Sequence, residues 1–152
     1  MSIIKEIEYL ASLTSGKQRK FFDQMLRDAH VVKVERMTDV LSASDVQYLK
    51  RVIKVKAKEC YRNATLIACY MPGIRYVEGK FAPFGFGIEH AWNEYKGHYF
   101  DATRELALKE MPDDIEYVAL GEYDAPEVMS VCEKREFYGE IYQTRFLQQN
   151  EQ

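Results

Sequence analysis

The chain has 152 residues, of which 47% are hydrophobic and 30% charged, and its formal net charge is −3. This length predicts one compact domain, and 11 tyrosines with 8 phenylalanines exclude a disordered chain. No apolar run approaches the roughly 18 residues of a membrane span, and charged residues interrupt the N-terminus where a signal peptide would be apolar. We therefore expect a soluble, cytoplasmic protein without a membrane partner.

The first half of the chain has the periodicity of amphipathic helices. Apolar residues recur every three to four positions, and Ser42 and Ser44 offer N-caps for the third helix. A break is expected near 55–59, and Pro72 with Gly73 ends the helix that follows it. The predicted helices cover residues 3–11, 21–29, 42–53 and 60–70.

The second half has the pattern of a sheet with short helical segments. Lys96 and Gly97 form a turn that joins two strands into a hairpin. The predicted strands cover residues 75–80, 88–95, 98–103, 115–120 and 141–146, and the predicted helical segments cover 104–109 and 127–136. Helices followed by an antiparallel sheet predict an α+β fold. We expect a single domain over 1–152, with N-terminal helices in 1–55 packed on a core in 56–152.

Three cysteines, Cys60, Cys69 and Cys132, form an odd set without C-x-x-C spacing. This set argues against a disulfide framework and against structural zinc, and we expect neither a metal ion nor another cofactor. Five basic residues between positions 50 and 58 could contact an acidic partner, but a solvated helix face is the simpler interpretation. No nucleic-acid partner is expected, because the recognition motifs are lacking.

Cys60, His90 and Asp101 have the spacing of a nucleophile, a base and its orienting carboxylate. A thiol is only a few per cent ionised at pH 7 and needs a basic partner or a helix N-terminus, and Cys60 lies where a helix is predicted to begin. A two- or four-residue hairpin loop pairs Tyr95 with His98 and places His90 and Asp101 on one face. A three-residue loop would shift the register by one and separate them.

Four short segments occur in a distinctive order: E-C-Y-R-N-A (59–64), R-Y-V-E-G (75–79), E-H-A-W-N-E-Y-K-G (89–97) and H-Y-F-D-A-T (98–103). Together they resemble the transglutaminase-like branch of the papain-like cysteine enzymes. The resemblance implies a papain-like core with a Cys60–His90–Asp101 triad in which Cys60 is the nucleophile. Ala102 stands where the family usually has proline, and Glu59 and Tyr61 flank the cysteine in place of the usual aromatic residue or glycine.

The predicted function is acyl chemistry through a thioester on Cys60. It takes the form of amide hydrolysis by a peptidase, amidase or deamidase, or of transglutaminase-type acyl transfer, on a protein, peptide or small amide. The candidate substrate-binding residues are Tyr61, Asn63, Glu78 and Trp92. The alternative is a non-catalytic protein-binding or inhibitor module on the same fold, in which the tyrosine and phenylalanine residues of 76–100 form a contact surface.

Each candidate also has a purely structural interpretation. Cys60 fits a small buried residue, His90 a hydrogen-bonded core histidine and Asp101 a turn former. Trp92 and Phe100 are expected in the core on opposite faces of the hairpin, whereas His30 and His98 are expected at the surface.

Overall fold

The computed structural model describes residues 2–150 and has a mixed α+β architecture built around a curled six-stranded sheet. The α-helices are α1 (Ile3–Ser12), α2 (Gly16–Asp28), α3 (Met37–Val40), α4 (Ala43–Tyr48), α5 (Cys60–Tyr70), α6 (Ala125–Arg135) and α7 (Ile141–Asn150). Two π-helical turns lie at Leu49–Ile53 and Thr103–Ala107. None of the helices in the described part of the chain is long and apolar enough to cross a membrane.

The strands are β1 (His30–Val32), β2 (Val34–Glu35), β3 (Ile74–Phe81), β4 (Ile88–Tyr95), β5 (His98–Phe100) and β6 (Tyr117–Tyr123). Their order in the sheet is β1-β6-β3-β4-β5-β2. β2 and β5 are parallel, and the other neighbours are antiparallel. The expected α+β class is therefore confirmed, although β1 and β2, which form the two edges of the sheet, come from the half of the chain predicted to be helical.

The predicted helix over 60–70 and the predicted strand over 88–95 are confirmed at both ends. Ser42 caps α4, since its Oγ accepts a hydrogen bond from the backbone N–H of Asp45 at 3.1 Å. The third predicted helix, 42–53, is divided into α4 and the π-helical turn that follows it. The predicted strand 115–120 starts later, at Tyr117, and continues to Tyr123.

The strand predicted over 141–146 is wrong, because these residues begin α7. A strand would bury alternate residues, whereas Ile141, Tyr142 and Phe146 are the buried ones and lie on one side of a helix. The carboxylate of Glu78 accepts hydrogen bonds from the backbone N–H groups of Ile141 and Tyr142 at 3.0 and 3.1 Å. A negative charge at a helix N-terminus is stabilising, so a distant strand residue determines how α7 starts.

The hairpin has the register in which Tyr95 pairs with His98 and Asn93 with Phe100. Lys96 and Gly97 both have positive φ, 52° and 86°, as a two-residue turn of the twist-compatible type requires. The strand predicted over 98–103 ends at Phe100, because Asp101 leaves the ladder and Thr103 starts a helical turn.

The core consists of several apolar clusters on the faces of the curled sheet. Trp92 and Phe100 are 1% and 0% exposed and belong to different clusters, as expected for opposite faces. Gly79 permits the close approach of β6, since a Cβ there would lie 2.0 Å from the carbonyl oxygen of Val118. The register between β3 and β6 also shifts between Glu78 and Gly79, so this glycine sits at a bulge beside His90, its partner on β4.

Replacing Trp92 by alanine should destabilise the protein strongly, because it removes a fully buried indole from the cluster that contains Tyr117 and Phe81. We expect Trp92→Ala to lower the free energy of unfolding by about 3–5 kcal/mol. Phe84→Ala is the control, because Phe84 is 76% exposed and should lose less than about 0.5 kcal/mol. Urea titration measures both, and equal stability of the two variants would contradict the core assignment of Trp92.

Candidate active site

Cys60 is the first residue of α5, and its position depends on the loop that precedes it. The N-cap residue Glu59 makes no side-chain capping bond, so no side chain caps the first backbone N–H groups of the helix, which have no partner within the helix. Asn63, one turn later, holds the preceding loop: its Nδ2 donates to the carbonyl of Lys56 at 2.7 Å, and its Oδ1 accepts from the N–H of Lys56 at 3.1 Å.

Asn63 is fully buried and also bonds to a second segment of the chain. Its Nδ2 also donates to Thr103 Oγ1 at 2.9 Å, two residues after Asp101. The amide is therefore used within the protein, and Asn63 links α5 to the segment that carries Asp101. The predicted substrate contact of Asn63 stays a prediction.

His90 and Asp101 meet as the hairpin register requires. His90 Nε2 lies 2.7 Å from Asp101 Oδ2, and both side chains are buried. The ring of His90 stacks on Phe81 with 3.9 Å between ring centroids, and the indole of Trp92 lies on its other side at 6.0 Å. These rings exclude water from the pair, which strengthens its electrostatic interaction.

Asp101 accepts hydrogen bonds from two further donors. Tyr117 donates its hydroxyl to Oδ2 at 2.7 Å, and the backbone N–H of Arg104 donates to Oδ1 at 3.2 Å. Burial by itself would raise the pKa of Asp101, but the His90 ring and these donors lower it below its ordinary value. The carboxylate therefore stays ionised although it is completely buried.

The charge state of His90 follows from its partners. Burial would lower the pKa of the ring, but the Asp101 carboxylate, by its charge and its hydrogen bond, outweighs burial, and the Cys60 side chain adds a hydrogen bond and a charge interaction. The pKa of His90 is raised from 6.5 to about 10. Cys60 is thus near enough to influence the ring, while Nε2 faces Asp101.

The other two cysteines have different surroundings. Cys69 and Cys132 are free and half-buried like Cys60, but burial raises the pKa of both thiols. The largest influences on the pKa of His90 include Cys60 and neither of these two cysteines.

Tyr61 follows Cys60 in α5 and packs against the loop between α6 and α7. A Cβ on Gly139 would lie 2.4 Å from the Tyr61 ring, so only glycine allows this contact. Tyr61, Glu78 and Glu89 line a cavity of about 30 Å³, which has room for a water-sized group. Cys60 does not line this cavity, so a substrate contact of Tyr61 stays a prediction.

Glu78 and Trp92 are deeply buried. The Glu78 carboxylate accepts from Tyr76 Oη at 2.5 Å as well as from the start of α7; burial raises its pKa. Its hydrogen bonds go to the protein, so its clearest task is to anchor α7. Trp92 forms part of the wall around His90, and its Nε1 has no hydrogen-bond partner.

Tyr117 is the site residue that the sequence did not indicate. It lies in a predicted strand where Tyr117 and Ala119 alternate inward, and this periodicity marks it as a core residue. Only the order of the strands in the sheet shows that the Tyr117 hydroxyl reaches the carboxylate of Asp101, which follows β5.

Among the described residues, no group of three histidine, cysteine or acidic side chains could hold a metal ion.

Comparison with known proteins gives no match for this chain among protein-family models, curated proteins or solved structures. The resemblance to transglutaminase-like enzymes therefore depends on the motif residues quoted above.

The raised pKa of His90 predicts a specific pH dependence of stability. A charged ring that is stabilised in the folded state contributes fully below pH 6.5, and this contribution is lost as the pH rises through about 10. The difference in unfolding free energy between the wild type and His90→Gln should therefore shrink between about pH 7 and 10. Chemical denaturation at several pH values measures it.

His98→Gln is the control, because His98 is exposed and pairs with Glu35 at the surface, where such pairs contribute little. A His90→Gln difference that stays constant or grows over the same pH range would contradict the charge assignment of the buried pair.

Proposed function

We propose that this chain is a cysteine-dependent acyl-transfer enzyme with a papain-like, transglutaminase-type core, and that amide hydrolysis is its reaction. One observation carries the proposal: the buried His90–Asp101 hydrogen bond of 2.7 Å. Cys60 is among the groups that raise the pKa of the same ring. The motif order Cys, H-A-W and D-x-T supports it independently of the geometry.

The proposed acylation step uses three groups. The Cys60 sulfur attacks the substrate carbonyl carbon, and the uncapped N–H groups of the first turn of α5 stabilise the oxyanion. His90 gives its proton to the leaving nitrogen as the C–N bond breaks, and a thioester remains on Cys60. Asp101 keeps the ring in the orientation and tautomer that this transfer needs.

The thioester is then released by a second nucleophile. With water, His90 removes a proton from the attacking molecule, the C–S bond breaks, and a carboxylic acid and the free thiol are formed. A primary amine would follow the same path and give a new amide, which is the transglutaminase-type outcome. Both reactions need a reduced thiol, as in the cytoplasm, where thiols are kept reduced.

The non-catalytic alternative also has a specific observation in its favour. Phe84 and Phe86, in the loop between β3 and β4, are 76% and 55% exposed, and their rings lie 6.3 Å apart. Exposed aromatic pairs are common at protein contact surfaces. This loop joins the strands of Phe81 and His90, so a partner bound there would also lie near the candidate site.

Thiol reactivity separates the two functions. Iodoacetamide should alkylate Cys60 at least about 30-fold faster at pH 7 than Cys69 or Cys132, because an unassisted thiol is only a few per cent ionised. Mass spectrometry of the digested protein gives the three rates. Asp101→Asn should slow the alkylation of Cys60 without changing that of the other two thiols. Three equally slow rates would favour the binding module.

The acyl intermediate itself can be observed. An activated ester such as p-nitrophenyl acetate should give a burst of one p-nitrophenolate per chain and an acetyl adduct on the peptide that contains Cys60. Cys60→Ala should lose both, while Cys69→Ala, the matched control on the same helix, should keep both. A burst that survives in Cys60→Ala would overturn the proposed nucleophile.

A further inference from the structure

Tyr117 is a buried phenol whose hydroxyl shares an acceptor atom with His90. Its Oη and His90 Nε2 both lie 2.7 Å from Asp101 Oδ2, and the N–H of Arg104 reaches Oδ1. The two donors to Oδ2 come from different strands of the sheet, β6 and β4. The same oxygen is therefore held from two directions, while Oδ1 is held by the backbone.

The place of the Tyr117 ring is set by packing and not by the hydrogen bond alone. The residue is completely buried, and it pairs with Val32 on β1 and with Phe81 on β3. Its ring stands edge-on to Trp92 at 5.1 Å between centroids. A side chain held in this way presents its hydroxyl at a fixed point in the site.

The start of β6 is also anchored from outside the sheet. Glu116 Oε1 accepts from the N–H of Ile3, the first residue of α1, at 2.7 Å, and the carbonyl of Glu116 accepts from the N–H of Ala82 at 3.0 Å. Both bonds fix the residue immediately before Tyr117. The position of the phenol thus depends on α1 and on the end of β3.

We propose that Tyr117 is a positioning residue that holds Oδ2 of Asp101 toward His90 and thereby fixes the orientation of the imidazole against Cys60. The role in catalysis rests on the function proposed above, whereas the ordering of the His90–Asp101 hydrogen bond does not. Without the hydroxyl, the carboxylate would keep the Arg104 N–H and the His90 ring as partners, and Oδ2 would be held from one side only.

The charges in the site fit this role. Burial, together with the Asp101 carboxylate, raises the pKa of Tyr117 above its ordinary value, so the phenol stays protonated and remains a donor. Because the Tyr117 hydroxyl is neutral, it can hold the Asp101 carboxylate in place without neutralising the negative charge that stabilises protonated His90. Tyr117 would therefore act through Asp101 and touch no substrate atom.

The test removes the hydroxyl of Tyr117 and keeps its aromatic ring. Tyr117→Phe is compared with Tyr142→Phe, a matched control in which another buried tyrosine loses a hydrogen bond to a carboxylate, Asp28 Oδ2, of the same 2.7 Å length. Two quantities are measured at neutral pH: the rate constant for alkylation of Cys60 by iodoacetamide, and the exchange rate of the His90 Nε2 proton, by NMR.

We expect Tyr117→Phe to slow the alkylation about tenfold and to speed the exchange of the Nε2 proton by a similar factor, since each tenfold corresponds to the loss of about one hydrogen bond. Tyr142→Phe should lose comparable stability in urea and change neither rate. In an Asp101→Asn background, adding Tyr117→Phe should have little further effect, because the two residues act on one group.

Two results would overturn the proposal. One is a Tyr117→Phe protein that resembles Tyr142→Phe, with lower stability but unchanged alkylation and proton exchange. The other is a Tyr117→Phe effect that remains complete in the Asp101→Asn background. If Cys60 of the wild type is unreactive, the proposed function fails, and proton exchange alone still decides whether Tyr117 orders the pair.

A second variant covers the case in which Tyr117→Phe does not fold. 3-Fluorotyrosine at position 117 keeps the hydroxyl but makes it a stronger donor, and it should shift the resonance of the His90 Nε2 proton. An unshifted resonance would count against the proposal.

Discussion

The completely buried carboxylate of Asp101 is the constraint on which the arrangement of the site depends. An isolated buried charge is costly, and removing a partner from a buried pair typically costs about 3–5 kcal/mol. Asp101 follows β5, while its side-chain donors, His90 and Tyr117, come from β4 and β6. In the sheet order, β6 and β5 are separated by two strands, or about 14 Å in a flat sheet. The curl of the sheet and the length of a tyrosine side chain together close this distance.

A second buried hydrogen bond connects the segment after this carboxylate to α5, the helix that begins at Cys60. Asn63 holds the loop before α5 through both polar groups of Lys56 and reaches Thr103, two residues beyond Asp101. Any shift of α5 relative to the hairpin would leave buried polar groups without partners, which is costly. The position of Cys60 is thus coupled to the His90–Asp101 pair by an amide outside the triad. The proposed site is a consequence of two buried polar networks that share the segment from Asp101 to Thr103.

Local patterns predicted the parts of this arrangement that local forces determine. Lys96-Gly97 located the hairpin turn but left two registers open, of which the structure has the one that pairs Tyr95 with His98. The ends of α5 followed from the break before Cys60 and from Pro72 with Gly73. Long-range contacts determine the rest. The start of α7 depends on Glu78, more than sixty residues earlier. The edge strands β1 and β2 contain valine but are only three and two residues long, so their pairing with β6 and β5 defines them. Tyr117 also depends on a long-range contact: the order of the strands in the sheet brings its hydroxyl to the carboxylate of Asp101.

The proposed chemistry needs His90 to act as an acid in one step and as a base in the next, and the proposed acylation would itself change the charge near the ring. With its pKa raised to about 10, the ring is protonated at neutral pH and ready to give a proton to a leaving nitrogen. A base must first have lost that proton. Part of the raised pKa comes from the hydrogen bond and the charge of Cys60. Formation of a thioester removes both, because the acylated sulfur carries neither a proton nor a charge. Acylation would therefore lower the pKa of His90 and make the ring a better base for the attack of water.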